Sequence, residues 1–156
     1  MVFQQLMELK DEVRVGFAII IAEKILLEIE KTDERYIDGR AALDKCWIWV
    51  ENKGISGDDL YELIDNAECR GISEFAEKEN DKNIARLWSL FVDVVAYTSW
   101  TAFKREKMKY LPQMIEGIKE NSLIILIESA IETTFITKEE IEAVAKQLIS
   151  KYCIKH

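Results

Sequence analysis

Apolar and polar positions follow the three- and four-residue rhythm of helices along most of this chain, and one stretch departs from it. Between Lys82 and Lys104 the apolar residues are Ile84, Leu87, Trp88, Leu90, Phe91, Val92, Val94, Val95, Ala96, Tyr97, Trp100, Ala102 and Phe103, so they fall on almost every side of a helical wheel. A surface helix shows one apolar stripe, whereas a helix apolar nearly all round is enclosed by others. Asn80 or Asp81 offers an N-cap oxygen to the free amides of the first turn. Lys104, Arg105, Lys107 and Lys109 crowd the other end, where cations suit the helix dipole. Roughly 23 residues at about 1.5 Å each span about 35 Å, the diameter of a small domain. Arg86, Ser89 and Asp93 interrupt the run too often for a membrane span. The expected fold is therefore all-α: a single-domain irregular helical bundle over residues 1–156, around a central buried helix at about 81–104.

The flanking pattern predicts the other helices. Phe3 to Leu9 forms a short leading helix, and Asp11 to Glu30 a long one with Val15, Ala18, Ile19, Ala22, Ile25, Leu26 and Ile29 on its core face. Arg14, Lys24, Glu28 and Lys31 mark its opposite face; Phe17 and Ile21 lie near that side, so the leading segment is expected to cover them. Asp33 caps a helix reaching about Asn52, with Leu43, Cys46, Trp47 and Val50 as its inner stripe. Trp49 points elsewhere, either packed under a neighbouring loop or exposed as an interface anchor. Ser56 caps a short helix from Asp58 to Asn66, and Gly71 opens another with Ile72 and Phe75 inward. Tyr110 to Gln113 is a bend, after which Met114, Ile115 and Ile118 begin a short helix. Ser122 to Thr133 is read as helical because no second strand-like run exists to pair with Leu123–Ile127. Thr137 and Glu140 match a capping box at the start of the last helix.

Charge sharpens the picture. The net charge is −8, which disfavours nucleic acid or anionic lipid as direct partners. Between Glu51 and Asp81 ten acids face three bases, a local charge of −7, so the rest of the chain is nearly balanced. Asp58, Asp59, Glu62, Asp65, Glu74 and Glu77 sit on short helices within that segment, and Glu68 lies in the connection between them. Such a surface speeds encounter with a basic partner and orients it; it also simply keeps a protein soluble.

Catalytic chemistry is hard to find. The one histidine is His156, which removes His-based triads and His-containing metal sites from consideration. Cys46, Cys69 and Cys153 read as idle thiols of a reducing cytoplasm, and none has a histidine base beside it. No phosphate-binding glycine loop is present. Asp93 shares a helical stripe with Arg86, Ser89, Tyr97 and Trp100; it is either a buried acid with a raised pKa, or is partly solvated or hydrogen-bonded to Ser89 or Tyr97. An enzyme built on Asp93 would need a carboxylate pocket lined by Tyr97. No catalytic residue, metal or cofactor is expected.

Particular residues also carry a likeness. Ala42-Leu43, Trp47-Ile48-Trp49-Val50, Gly57-Asp58, Leu60-Tyr61 and Leu63, followed by Trp88, Ala96-Tyr97, Trp100, Phe103-Lys104 and Tyr110-Leu111-Pro112-Gln113, resemble the small helical immunity proteins, often numbered six, of bacterial polymorphic-toxin loci. The likeness covers roughly residues 10 to 118. It implies a cytoplasmic bacterial protein that binds and neutralises a cognate toxin; the residues themselves, lacking catalytic chemistry, give the expectation that it is no enzyme. The acidic segment adds the expectation that the toxin is basic, such as a nuclease, and is met by Asp58, Asp59, Glu62, Asp65, Glu68, Glu74, Glu77 and Trp49. No direct contact with nucleic acid or membrane is expected, and the protein is expected to be a monomer or weak homodimer. The alternative is a helical adaptor or regulatory domain with no toxin partner.

Overall fold

A computed structural model describes residues 2–65 and 71–152. In chain order, its helices are α1 (Val2–Met7), α2 (Asp11–Leu26), α3 (Glu34–Asn52), α4 (Gly57–Glu62), α5 (Ser73–Lys78), α6 (Lys82–Glu106), α7 (Gln113–Glu116), α8 (Ser122–Glu132) and α9 (Lys138–Tyr152), and no strand occurs among the described residues. The all-α expectation holds, and Leu123–Ile127 lies on a helix.

α6 is the hub. It packs against α2, α3, α4, α5, α7 and α8, and from Val94 to Phe103 every residue is buried. The three aliphatic hydroxyls inside that stretch are satisfied within the helix or across one seam. The Thr98 and Thr101 hydroxyls donate to the carbonyls of Val94 and Tyr97 four residues back, at 2.9 and 2.8 Å. Ser99 Oγ donates to Gly57 O at 2.8 Å. Asp81 caps the helix, accepting from Asn83 N and Ile84 N at 2.9 and 3.1 Å. Its first half keeps one solvent-facing strip, Arg86, Ser89 and Asp93.

Three details of the predicted packing change. α1 packs against α9, and α2 is enclosed by α3, α6, α8 and α9, so α9 does much of the covering expected of the leading segment. Arg14 is buried rather than outward: its Nη1 donates to Met7 O at 3.0 Å and Leu9 O at 2.8 Å, while Nη2 meets Asp11 and Glu120. Those carbonyls are left over where α1 ends, and a guanidinium can satisfy several at once. On α3 the buried stripe is Gly39, Ala42, Leu43, Cys46 and Trp49, with Trp47 and Val50 only half-buried. The helix is thus rotated relative to the expected stripe, and the Trp47 indole turns toward Glu23 of α2 at 3.5 Å.

α4 is pinned to the end of α6 at both of its first backbone groups. Besides the bond from Ser99, Gly57 N donates to Glu106 Oε2 at 2.8 Å. A Cβ at Gly57 would stand 2.7 Å from the Phe103 ring, so the approach needs a residue without a side chain. Gly57→Ala should therefore lower stability by about 1–3 kcal/mol, the usual cost of overpacking, read as a shift in the urea-unfolding midpoint.

Candidate functional site

The acidic segment is held in place by interactions at each end. Ser56 Oγ accepts from Asp59 N at 3.0 Å and starts α4. Beyond α4, Ile72 N donates to Leu63 O at 2.9 Å and Ser73 N to Ile64 O at 3.2 Å, which ties the entry of α5 to the exit of α4. Gly71 sits in that tie, where a Cβ would overlap the Ile64 carbonyl. At the far end Arg35 bridges Asp33, the N-cap of α3, and Glu79, just beyond α5, at 2.7 and 2.8 Å. Glu79 also accepts from Asp81 N at 3.0 Å, joining this clamp to the α6 cap. The Arg35 hydrogen bonds hold the Asp33 carboxyl below its ordinary range. Glu79 is lowered likewise, first by the Asp81 amide and then by Arg35.

On this frame Asp58, Asp59, Glu62 and Asp65 are exposed around α4, and Glu77 is exposed on α5. Glu74 is half-buried and pairs with Lys78 at 3.3 Å. Among the described residues no ion pair engages Asp58, Asp59, Asp65 or Glu77. Glu68 lies outside the described residues. The segment's other described base, Lys53, turns inward.

Trp49 corrects an expectation. Its indole is 2 % exposed, so it is not a surface anchor. Lys53 Nζ lies 4.7 Å and the Arg105 guanidinium 5.8 Å from its ring centroid, and Glu12 pairs with both cations, at 3.9 and 2.7 Å. Burial alone would push the Glu12 carboxyl up; the Arg105 hydrogen bond, its own backbone amide and the two cations hold it below the ordinary value. A lid of two cations and one acid closes the core over Trp49. Cys46 is equally enclosed, and burial pushes its thiol up to about 12, so it is no nucleophile at neutral pH. Cys69 and Cys153 lie outside the described residues.

Sequence reasoning missed a second feature beside the acids. A cleft of about 260 Å³ opens between α6, the α7 turn and α8, lined by Val92, Asp93, Ala96, Tyr97, Met114, Ile118, Ser122, Ile125 and Leu126. A smaller one of about 240 Å³ lies on the other side of Asp93, between α5 and α6, and reaches Glu77. Neither hydrogen bond expected for Asp93, to Ser89 or to Tyr97, is present among the described residues. Asp93 is exposed, yet the protein packed around it strips enough water to raise its carboxyl to about 6. Tyr97 is buried and raised as well, first by desolvation and against the pull of Arg14. Ser122 Oγ is committed to the turn, accepting from Lys119 N at 2.9 Å. The pocket that an Asp93 enzyme would need thus exists, but its wall holds one acid and no base to pair with it. Among the described residues no group of three His, Cys, Asp or Glu could hold a metal ion. This arrangement can bind.

The raised Asp93 makes a stability prediction whose sign is the reverse of the usual carboxylate case. Between about 3.8 and 6 the folded state holds more proton than the unfolded one, so stability falls as pH rises through that window. Asp93→Asn should remove the penalty, stabilising the protein at pH 7.5 by about 1 kcal/mol once solvent screening at this exposed group is allowed for. The gain should vanish below about pH 4, as read by denaturant titrations at the two pH values.

No helix among the described residues is long and apolar enough to cross a membrane. No curated protein and no solved structure matches the chain significantly. Residues 13–133, from α2 through α8, match the profile of the family described as Immunity protein Imm6. That span is well over half of the 156 residues, includes both short acidic helices and both walls of the cleft, and leaves out only α1 and α9: the chain belongs to the Imm6 family of immunity proteins.

Proposed function

We propose that this protein binds a cognate toxin domain in a stoichiometric complex and neutralises it, and that the toxin surface it meets is basic, as in a nuclease. The family supplies the immunity role. One observation carries the finer reading: exposed carboxylates concentrate on a segment clamped at both ends, Asp58 and Asp59 on α4, Asp65 just beyond it and Glu77 on α5, all four free of ion pairs among the described residues. Solubility alone is supplied by interspersed charges of both signs and needs no single-sign field. Unpaired acids on a rigid frame instead present a fixed negative potential, which steers a positive partner and sets its orientation. Glu62, Glu68 and Glu74 extend the same segment. The complex works in the bacterial cytoplasm, where the toxin would otherwise act, with the free protein a monomer or weak dimer.

Co-expression with the toxin domain encoded beside it should restore growth and yield a complex on size exclusion. Replacing Asp58, Asp65 and Glu77 together by Lys should slow association by about tenfold or more at low salt, with a smaller effect at high salt. Circular dichroism of the variant checks that the helices persist. Unchanged association kinetics would move the interface off α4 and α5.

A further inference from the structure

The cleft beside Asp93 has features that neither the acidic helices nor the core explain. Its rim bears two exposed apolar side chains, Met114 at 46 % and Ile125 at 57 %. Its one charged wall group, Asp93, has no ion pair or hydrogen bond among the described residues. At about 260 Å³ it falls below the range of roughly 300–1,000 Å³ usual for small-molecule and cofactor sites. A single side chain is the better match in size.

We propose that this cleft receives one lysine or arginine side chain of the toxin, with its aliphatic stem lying on Met114, Ile118 and Ile125 and its cationic head on the Asp93 carboxylate. The inference rests on the toxin-binding reading above and extends it from charge steering to a specific anchor. Long basic side chains are amphipathic, burying their methylenes along apolar surface while the head reaches a polar partner. A chamber with apolar walls and one acid complements that shape and charge. Asp93 gains more from such a cation than the α4 carboxylates do, because its walls already withhold water from it. The neighbouring cleft, from Asp93 to Glu77, makes the anchor continuous with the acidic helix α5. The two parts divide the work: the exposed acids of α4 and α5 set the encounter rate, and the single pair formed in the cleft sets the lifetime of the complex.

Calorimetry and stopped-flow kinetics with the purified toxin domain encoded by the adjacent gene test this. Asp93→Asn should weaken binding by about tenfold or more, mainly through faster dissociation, without loss of thermal stability. Ile125→Ser, on the exposed rim, should weaken it severalfold. Lys→Ala and Arg→Ala scanning of the toxin should find one position whose effect is not additive with Asp93→Asn. If wild-type protein binds the toxin and both variants bind equally well, the anchor is wrong while the immunity reading stands. Failure of the wild-type protein to bind or protect would sink that reading itself. A concentration-dependent dimer abolished by Asp93→Asn would assign the cleft to a second copy of the chain and overturn the proposal.

Discussion

A helix with no solvent-facing side must be closed in from every direction, and the second half of α6 sets that condition for the whole molecule. Ten consecutive residues, Val94 to Phe103, are buried, so α2, α3, α4, α7 and α8 are held less by their own helix propensity than by the apolar area they cover. Short helices such as α4, of six residues, are marginal alone in water. α4 persists because Leu60 is fully buried and because Ser99 and Glu106 take up both polar groups of Gly57. What such a helix turns inward is dictated by α6, and what it turns outward is free to serve a partner. Of the unpaired acids, Asp58, Asp59 and Glu77 stand on helices of this kind.

The polar contacts are concentrated at corners rather than across the core. Arg35 joins the cap of α3 to the residue after α5 while lying 5.4 Å from the Trp88 ring centroid. Arg14 gathers the loose carbonyls at the end of α1, and its partner Glu120 also meets Lys104 near the end of α6. The Glu12 lid over Trp49 follows the same scheme. Each is a guanidinium or ammonium spanning two chain ends, which fixes the angle between helices that apolar packing alone leaves adjustable. The terminal helices α1 and α9 pack on each other, and α9 also packs on α2. Both lie outside the family match, and they widen the support for α2 without approaching α4 or α5 closely.

Periodicity made α6, its Asp81 cap, the Ser56 cap and the Thr137–Glu140 capping box readable, because each rests on contacts within a few residues. It failed where long-range contacts decide. Trp47 and Trp49 lie about 200° apart on a helical wheel, and nothing local says which one turns inward; Glu12 and Arg105, brought from α2 and α6 to join Lys53 at the end of α3, close over Trp49. Arg14 looked like a surface residue because its partners are the carbonyls of Met7 and Leu9, which have no sequence signature. The acidic segment was legible as charge. The cleft was not, since Asp93, Met114 and Ile125 come together only once α6, α7 and α8 have packed; the one local hint was an acid inside an otherwise apolar run.

The central claim is that the working surface runs over α4, α5 and the Asp93 strip of α6. Hydrogen–deuterium exchange of the protein, alone and in complex with the toxin domain encoded beside it, addresses it most directly. The account predicts added protection at residues 57–65, 73–78 and 89–93, with α9 unchanged. Protection confined to α9 and α1, with residues 57–78 exchanging as in the free protein, would contradict it.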